Sequence, residues 1–360
     1  MEKFFVILLI FVLSTLDVLV SSTSSPAIFS FGDSILDAGN NRFLKNCTAR
    51  ADFPPYGSSY FPHPTGRFTN GRTVPDFISE FLGIGFQKPY LELNVAVVNG
   101  SLKYYPSNGV NFASGGSGVL PGTDKAEGVI PLQEQLQQFV TMVEQNQIDR
   151  TLIQKSLFLF ESGSNDIFDF FVPTKPPMDP EAYVKLLLSS VTNFVEKIYS
   201  LGACRIVLFS LGPVGCAPGR AMLPGSPTDR CDENINAMVR SYNHGLEEMA
   251  KHIHINHPGS VGTYAAVYDI VHHFRIFPRF FGFLDVSSAC CGGGSLGGEK
   301  QCGIGNYTMC SNPNEFLFWD LFHPTQHAYE LIAKALWGGW LAHVRPFNLR
   351  ALANIYLIPV

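Results

Sequence analysis

Acyl transfer to a hydroxyl needs an exposed nucleophile, a base oriented by a carboxylate, and donors aimed at the developing oxyanion. Four separated segments of this sequence supply those residue types. Ser34 follows "AIFSFGD", an apolar, aromatic-rich run that stops at Gly32 and reads as a buried strand entering a tight turn. Asp320 and His323 stand three residues apart, so one turn can carry both, with the carboxylate on the imidazole Nδ1–H and Nε2 turned toward Ser34. "SGGSG" offers Gly115 or Gly116, whose N–H groups can closely approach a substrate. Asn165 adds a side-chain amide donor, and the Ser34 backbone N–H would be the third.

Each piece also has a plainer reading. Asp33 and Ser34 could cap a following helix. Asn165 and Asp166 could form a simple turn, His323 could be structural, and "SGGSG" could be a turn with no ligand. The joint occurrence decides: all four segments sit at predicted strand ends, and each delivers what one reaction requires.

The elements that must position these groups alternate. Strand-like runs at "AIFSF", "GVNFA", "SLFLFE", "CRIVLFS" and Val261–Ala265 are separated by helical stretches. These run from a Thr73 cap to a Gly83 stop, from Pro131 at a first helical position, from Pro180 to Leu201, from Asp232 to His254, and from Pro324 to Trp337. Alternation of this kind predicts an α/β fold, a three-layer α/β/α sandwich around a central parallel sheet of about five strands. Between residues 40 and 73 lies a Pro-, Gly- and aromatic-rich loop, too long for a plain connector. Its aromatics between Asp52 and Phe68 read as packing ahead of a lipid-contacting lid.

Composition narrows the class. Charged residues are 15% and the net charge is −5 without basic runs, which argues against nucleic acid as a partner. Residues 1–24 combine Lys3, an apolar stretch and a small-residue exit, the pattern of a removable signal peptide. Asp17 and the lack of a basic flank argue against a membrane anchor. A single domain is expected over 25–360. Eight cysteines in a secreted chain imply disulfides, with Cys204 in an apolar strand as a candidate free thiol. The spacing of the cysteines does not suit zinc, and no metal or cofactor is expected. Sequons place glycosylation at Asn46, Asn99 and Asn306. His252, His254 and His257 read as a solvated helix end, His327 as a surface residue, and Ser295 in "GGSLG" as a false nucleophile elbow, because cysteine-rich loop flanks it on both sides.

"FGDSILDAGNN", "GVNFASGGSG", "GSND" and "DLFHP" resemble, in order, the four signature blocks of the plant-type GDSL esterase/lipase family of SGNH hydrolases. "TGRFTNGRTVPDFI", "LGPVGCAP" and "ACCGGG" extend the resemblance over the mature chain. It implies a flavodoxin-like fold. It also implies Ser34 as nucleophile, His323 as base, Asp320 as its orienting carboxylate, and Gly116 with Asn165 in the oxyanion hole, although Gly115 is one place away. The implied protein is a secreted, cell-wall or apoplastic, monomeric esterase acting on small-molecule or lipid esters. Alternatives are an acyltransferase using the same acyl-enzyme and a secreted defence or binding factor with incidental hydrolysis.

Overall fold

The computed structural model describes residues 25–173 and 178–357, and the leader at 1–24 lies outside them. The first half of the chain gives β1 (Ile28–Gly32), α1 (Val74–Leu82), β2 (Lys88–Pro89), α2 (Tyr90–Val98), β3 (Gly109–Asn111), α3 (Leu132–Glu144), α4 (Arg150–Lys155), β4 (Leu157–Glu161), α5 (Ser164–Phe170) and α6 (Pro180–Ser200). The second half gives β5 (Arg205–Phe209), α7 (Glu233–Asn256), β6 (Val261–Ala265), α8 (Val267–Ile276), β7 (Asp285–Ala289), β8 (Cys291–Gly292), β9 (Thr308–Met309), β10 (Phe316–Phe318), α9 (Gln326–Gly338), β11 (Val344–Arg345) and α10 (Leu349–Asn354).

One sheet has the order β11-β6-β5-β4-β1-β3-β2, parallel except for β11 against β6. The five expected strands are β1, β3, β4, β5 and β6. Edge strands β2 and β11, two residues each, extend the sheet and are too short to leave a periodic signal. After β1 the chain builds β2 and β3 on one side, then crosses to build β4, β5 and β6 on the other. The reversal puts a crevice at the carboxyl ends of β3, β1 and β4, where ligands bind in open α/β sheets.

Alternate residues of each strand face opposite layers, and both layers are apolar, which is why parallel strands read as continuous hydrophobic runs. Phe29, Phe31, Phe158, Phe160, Ile206 and Leu208 pack against α3, α6 and α7. Ile28, Leu157, Leu159, Val207 and Phe209 pack against α1, α8, α9 and α10. At the centre of the first layer Phe31 stacks on Phe112 at 4.8 Å and meets Phe139 and Phe194 edge-on at 5.7 and 5.2 Å.

Two helix expectations change. No α-helix follows Ser34. Residues 33–36 form a turn, and the next element is a 3₁₀ turn at Asn40–Phe43 preceded by Gly39 at φ 116°. Helix α9 starts at Gln326, because the Thr325 side chain accepts the Ala328 N–H and takes the cap position; Pro324 instead bridges to Phe318. Helices α2, α4, α5, α8 and α10 have no counterpart among the helical stretches expected from sequence, and α5 takes in Asn165 and Asp166, which read there as a turn.

Among the described residues there are three disulfides, Cys216–Cys231, Cys290–Cys310 and Cys291–Cys302. Cys204 is a free thiol as expected, and Cys47 is a second one, buried. Truncating Phe31 to Ala would leave a cavity among three rings and should cost about 3–5 kcal/mol. Chemical denaturation with the disulfides intact reads that loss as a lower midpoint.

Candidate active site

Ser34 and Asn165 line one crevice, and Gly115 and Gly116 follow β3 beside β1, because β1, β3 and β4 are neighbours with their carboxyl ends together. The Ser34 turn is made by the chain beside it. Asp33 N–H donates to the Glu161 carbonyl at 3.2 Å, and Asp33 Oδ1 accepts the Ile35 N–H at 3.0 Å. Gly32 must be glycine: at φ 143° a Cβ there would lie 1.7 Å from the Glu161 carbonyl oxygen.

His323 and Asp320 arrive from the far end of the chain. His323 Nε2 lies 2.7 Å from Ser34 Oγ, and Nδ1 lies 2.6 Å from Asp320 Oδ1. Asp320 is fully buried. Burial alone would raise its carboxyl, but His323, the Tyr56 hydroxyl and the Phe322 N–H outweigh that and hold it below the ordinary value. An ionised carboxylate only accepts, so Nδ1 carries the proton and Nε2 is left to accept from the Ser34 hydroxyl.

Four donors saturate Asp320. Oδ1 takes the Phe322 and His323 N–H groups at 3.0 and 2.9 Å in addition to Nδ1, and Oδ2 takes the Tyr56 hydroxyl at 2.7 Å. Tyr56 is not singled out by sequence, where an aromatic in a Pro-rich loop reads as packing. It does pack, edge-on to Trp319 at 6.2 Å, but its hydroxyl also belongs to the site. From the same loop, Phe68 lies against the His323 ring at 5.0 Å. Residues just beyond Phe68 hold the chain after His323 in place: Thr69 Oγ1 donates to the Pro324 carbonyl at 2.9 Å, and Asn70 Oδ1 accepts the Gln326 N–H at 2.8 Å. Their signal in sequence is the clustering of short polar side chains in "TGRFTNGR".

The glycine turn is held by buried carboxylates and amides. Asp37 Oδ2 accepts the Gly115 N–H at 2.9 Å, while Asn41 Nδ2 donates to the Gly115 carbonyl at 2.8 Å. Gly115 is therefore occupied, whereas the N–H groups of Gly116 and Ser34 meet no protein acceptor among the described residues. Asp166, fully buried, accepts from Val119, Leu120 and Thr123, tying α5 to this turn. Asn165 Nδ2 donates to the Ser117 carbonyl at 2.8 Å, which fixes the amide and leaves its second hydrogen free.

An apolar cavity of about 100 Å³ adjoins Ser34 and His323, lined by Ile35, Phe168, Phe209, Val214, Val271 and Ile332 among others. No group of three or more potential metal-ligating side chains occurs among the described residues. His252 and His254 are exposed, and His257 is half-buried against Tyr199. His327 is half-buried and bonds the Phe281 carbonyl at 2.9 Å, so it is not the free surface residue expected. Ser295 sits in a 3₁₀ turn of the cysteine-rich segment and is absent from the cavity lining.

Replacing Tyr56 by Phe leaves one Asp320 oxygen without its donor, a cost of about 1.5–3 kcal/mol for a bond to a charged group. A carboxyl whose folded value is depressed contributes stability above its unfolded value and loses it as pH falls through the folded one. Losing a donor raises the folded value. The acid-unfolding midpoint of Tyr56→Phe should therefore move to higher pH, as followed by near-UV circular dichroism.

The sequence matches the family model described as GDSL-like Lipase/Acylhydrolase over residues 28–336. It is 58% identical to GDSL esterase/lipase 6 of Arabidopsis thaliana over 335 residues, covering 93% of this chain and 92% of that protein. GDSL esterase/lipase 7 of the same plant is 34% identical, with 92% and 93% covered. A GDSL lipase of Tanacetum cinerariifolium is 33% identical, with 92% and 89% covered. With its mostly parallel sheet and the serine, histidine and aspartate in contact at one crevice, the chain belongs to the GDSL esterase/lipase family of carboxylic ester hydrolases.

Proposed function

We propose that the ester is cleaved through an acyl-enzyme on Ser34. The observation that carries this reading is the unbroken chain of hydrogen bonds from Ser34 Oγ through His323 to Asp320. Ser34 Oγ attacks the ester carbonyl carbon as its proton passes to His323 Nε2, and Asp320 stabilises the imidazolium. The carbonyl oxygen gathers negative charge facing the N–H groups of Ser34 and Gly116 and the amide of Asn165. Collapse expels the alcohol, which takes the proton from His323. Water, deprotonated in turn by His323, then attacks the acyl-enzyme and releases the carboxylic acid.

The cavity supports an acyl or lipid ester as substrate, since its lining is mainly apolar. At about 100 Å³, it is smaller than the roughly 300–1,000 Å³ of pockets that engulf a whole ligand, so it seats only part of the substrate. The enzyme acts outside the cell: three disulfides and exposed asparagines at all three sequons suit an oxidising, glycosylating route. Among the described residues no helix is long and apolar enough to cross a membrane.

Hydrolysis of a chain-length series of chromogenic esters tests the reading. Ser34→Ala should lower kcat/KM by at least roughly a thousandfold, and Asn165→Ala by about 10²–10³-fold. Full activity in Ser34→Ala would overturn the assignment. Product analysis with added alcohols separates free acid from transferred acyl, and transfer product in excess would make the enzyme an acyltransferase.

A further inference from the structure

Two carboxyl groups beside the nucleophile take no part in acyl transfer as written. Asp33 precedes Ser34, and Glu161 ends β4, whose register sets Gly32 beside Glu161. The two residues are 1% and 3% exposed, both line the cavity, and their carboxyl groups meet. Two ionised carboxylates meeting there would only repel, because each only accepts, and a proton between them satisfies both. The remaining oxygens identify where it sits. Asp33 Oδ1 is taken by the Ile35 N–H, while Asp33 Oδ2 and Glu161 Oε2 are buried and meet no donor.

Resting on the acyl-enzyme reading, we propose that Glu161 is a positioning residue, clamping the Asp33–Ser34–Ile35 turn to the end of β4 through a proton shared with Asp33. Asp33 then holds the turn twice, by its Oδ1 on one side of Ser34 and by the shared proton on the other. The surroundings favour keeping that proton. Burial raises Asp33 to about 6 and Glu161 higher than its ordinary value. The ionisable groups facing the pair are Asp166 and His323 toward Asp33, and Tyr242 and Tyr329 toward both; Asp320 also faces Tyr329. No Lys or Arg lines the cavity. Loss of the proton would set two negative charges in contact with no fixed cation to separate them. The turn would open. Activity should therefore fall on the alkaline side.

The experiment is kcat/KM for one short-chain ester from about pH 5 to 10 for wild type, Glu161→Gln and Glu161→Ala, with Ser34→Ala as the blank. Wild type should lose activity at the alkaline end. The Gln amide can donate to Asp33 without titrating, so Glu161→Gln should stay within about fivefold of wild type at neutral pH and lack the alkaline fall. Glu161→Ala should lose at least about tenfold in kcat with little change in KM. An alkaline fall shared equally by wild type and Glu161→Gln, or wild-type kcat in Glu161→Ala, would overturn the proposal. If Glu161→Ala fails to fold, the Gln profile alone decides. The outcomes separate: ester hydrolysis that survives Ser34→Ala defeats the acyl-enzyme reading, while Ser34-dependent hydrolysis indifferent to Glu161 defeats only the clamp.

Discussion

A single buried negative charge organises this enzyme. Asp320 has no contact with solvent, and an ion in that position is tolerated only when donors saturate it. Two of the four donors come from its own turn, one from the histidine it orients, and one from Tyr56, 264 positions away. The long aromatic loop is therefore obliged to fold over the acid–base turn. Once there, its Tyr56 and Phe68 share a small core with Trp319, Cys290, Cys291 and Cys302. The half-cystines reach the backbone too, since Cys290 and Cys291 donate to the carbonyls of Phe318 and Trp319 at 3.0 and 2.7 Å. The disulfide-bonded segment and the aromatic loop thus form the mount on which Asp320 and His323 stand.

The serine side is held by neutral amides and by the carboxyl groups of Asp33, Asp37 and Asp166. Just after β1 and just after β3 the backbone leaves regular structure, and its buried N–H and C=O groups need partners. Asn40 donates to the carbonyls of Asn111 and Ala113, Asn111 donates to Leu36, and Asp37 gathers the N–H groups of Gly39, Asn40 and Gly115. Gln135 on α3 reaches in to both the N–H and the carbonyl of Gly32. Polar side chains replace the helix that a strand-turn-helix pattern would have placed after Ser34. This gives the turn a single satisfied arrangement, and partly satisfied alternatives would be costly.

Much of this was legible because its causes are local. Runs such as "LFLFE" and "RIVLF" declare buried parallel strands, and Thr73 with Gly83 marks α1 at both ends. The serine, histidine, aspartate, glycine and asparagine were found by chemistry and by their place at strand ends. What escaped the sequence depends on distant partners. Tyr56 and Glu161 look like loop packing and strand end until Asp320 and Asp33 are beside them. Pro324 looked like a first helical residue, yet the cap fell to Thr325, whose hydroxyl meets both the Ala328 N–H and the Phe316 carbonyl. Cys204 is the free thiol that the sequence singles out, whereas nothing in it marks Cys47, which lies buried without a partner sulfur.

The distance along the chain between the reacting groups has a consequence for how the enzyme is made. Ser34 and His323 are 289 positions apart, and Ser25 bonds the carbonyl of Ala353 at the other end of the fold. During synthesis β1 to β6 emerge before His323 does, so the serine is made long before the imidazole that contacts it. Contacts so remote in sequence form only after much of the loop-closure entropy has been overcome. The same last stretch that brings His323 also brings α9, α10 and β11, so a chain stalled or clipped before it lacks both the histidine and one side of a core layer.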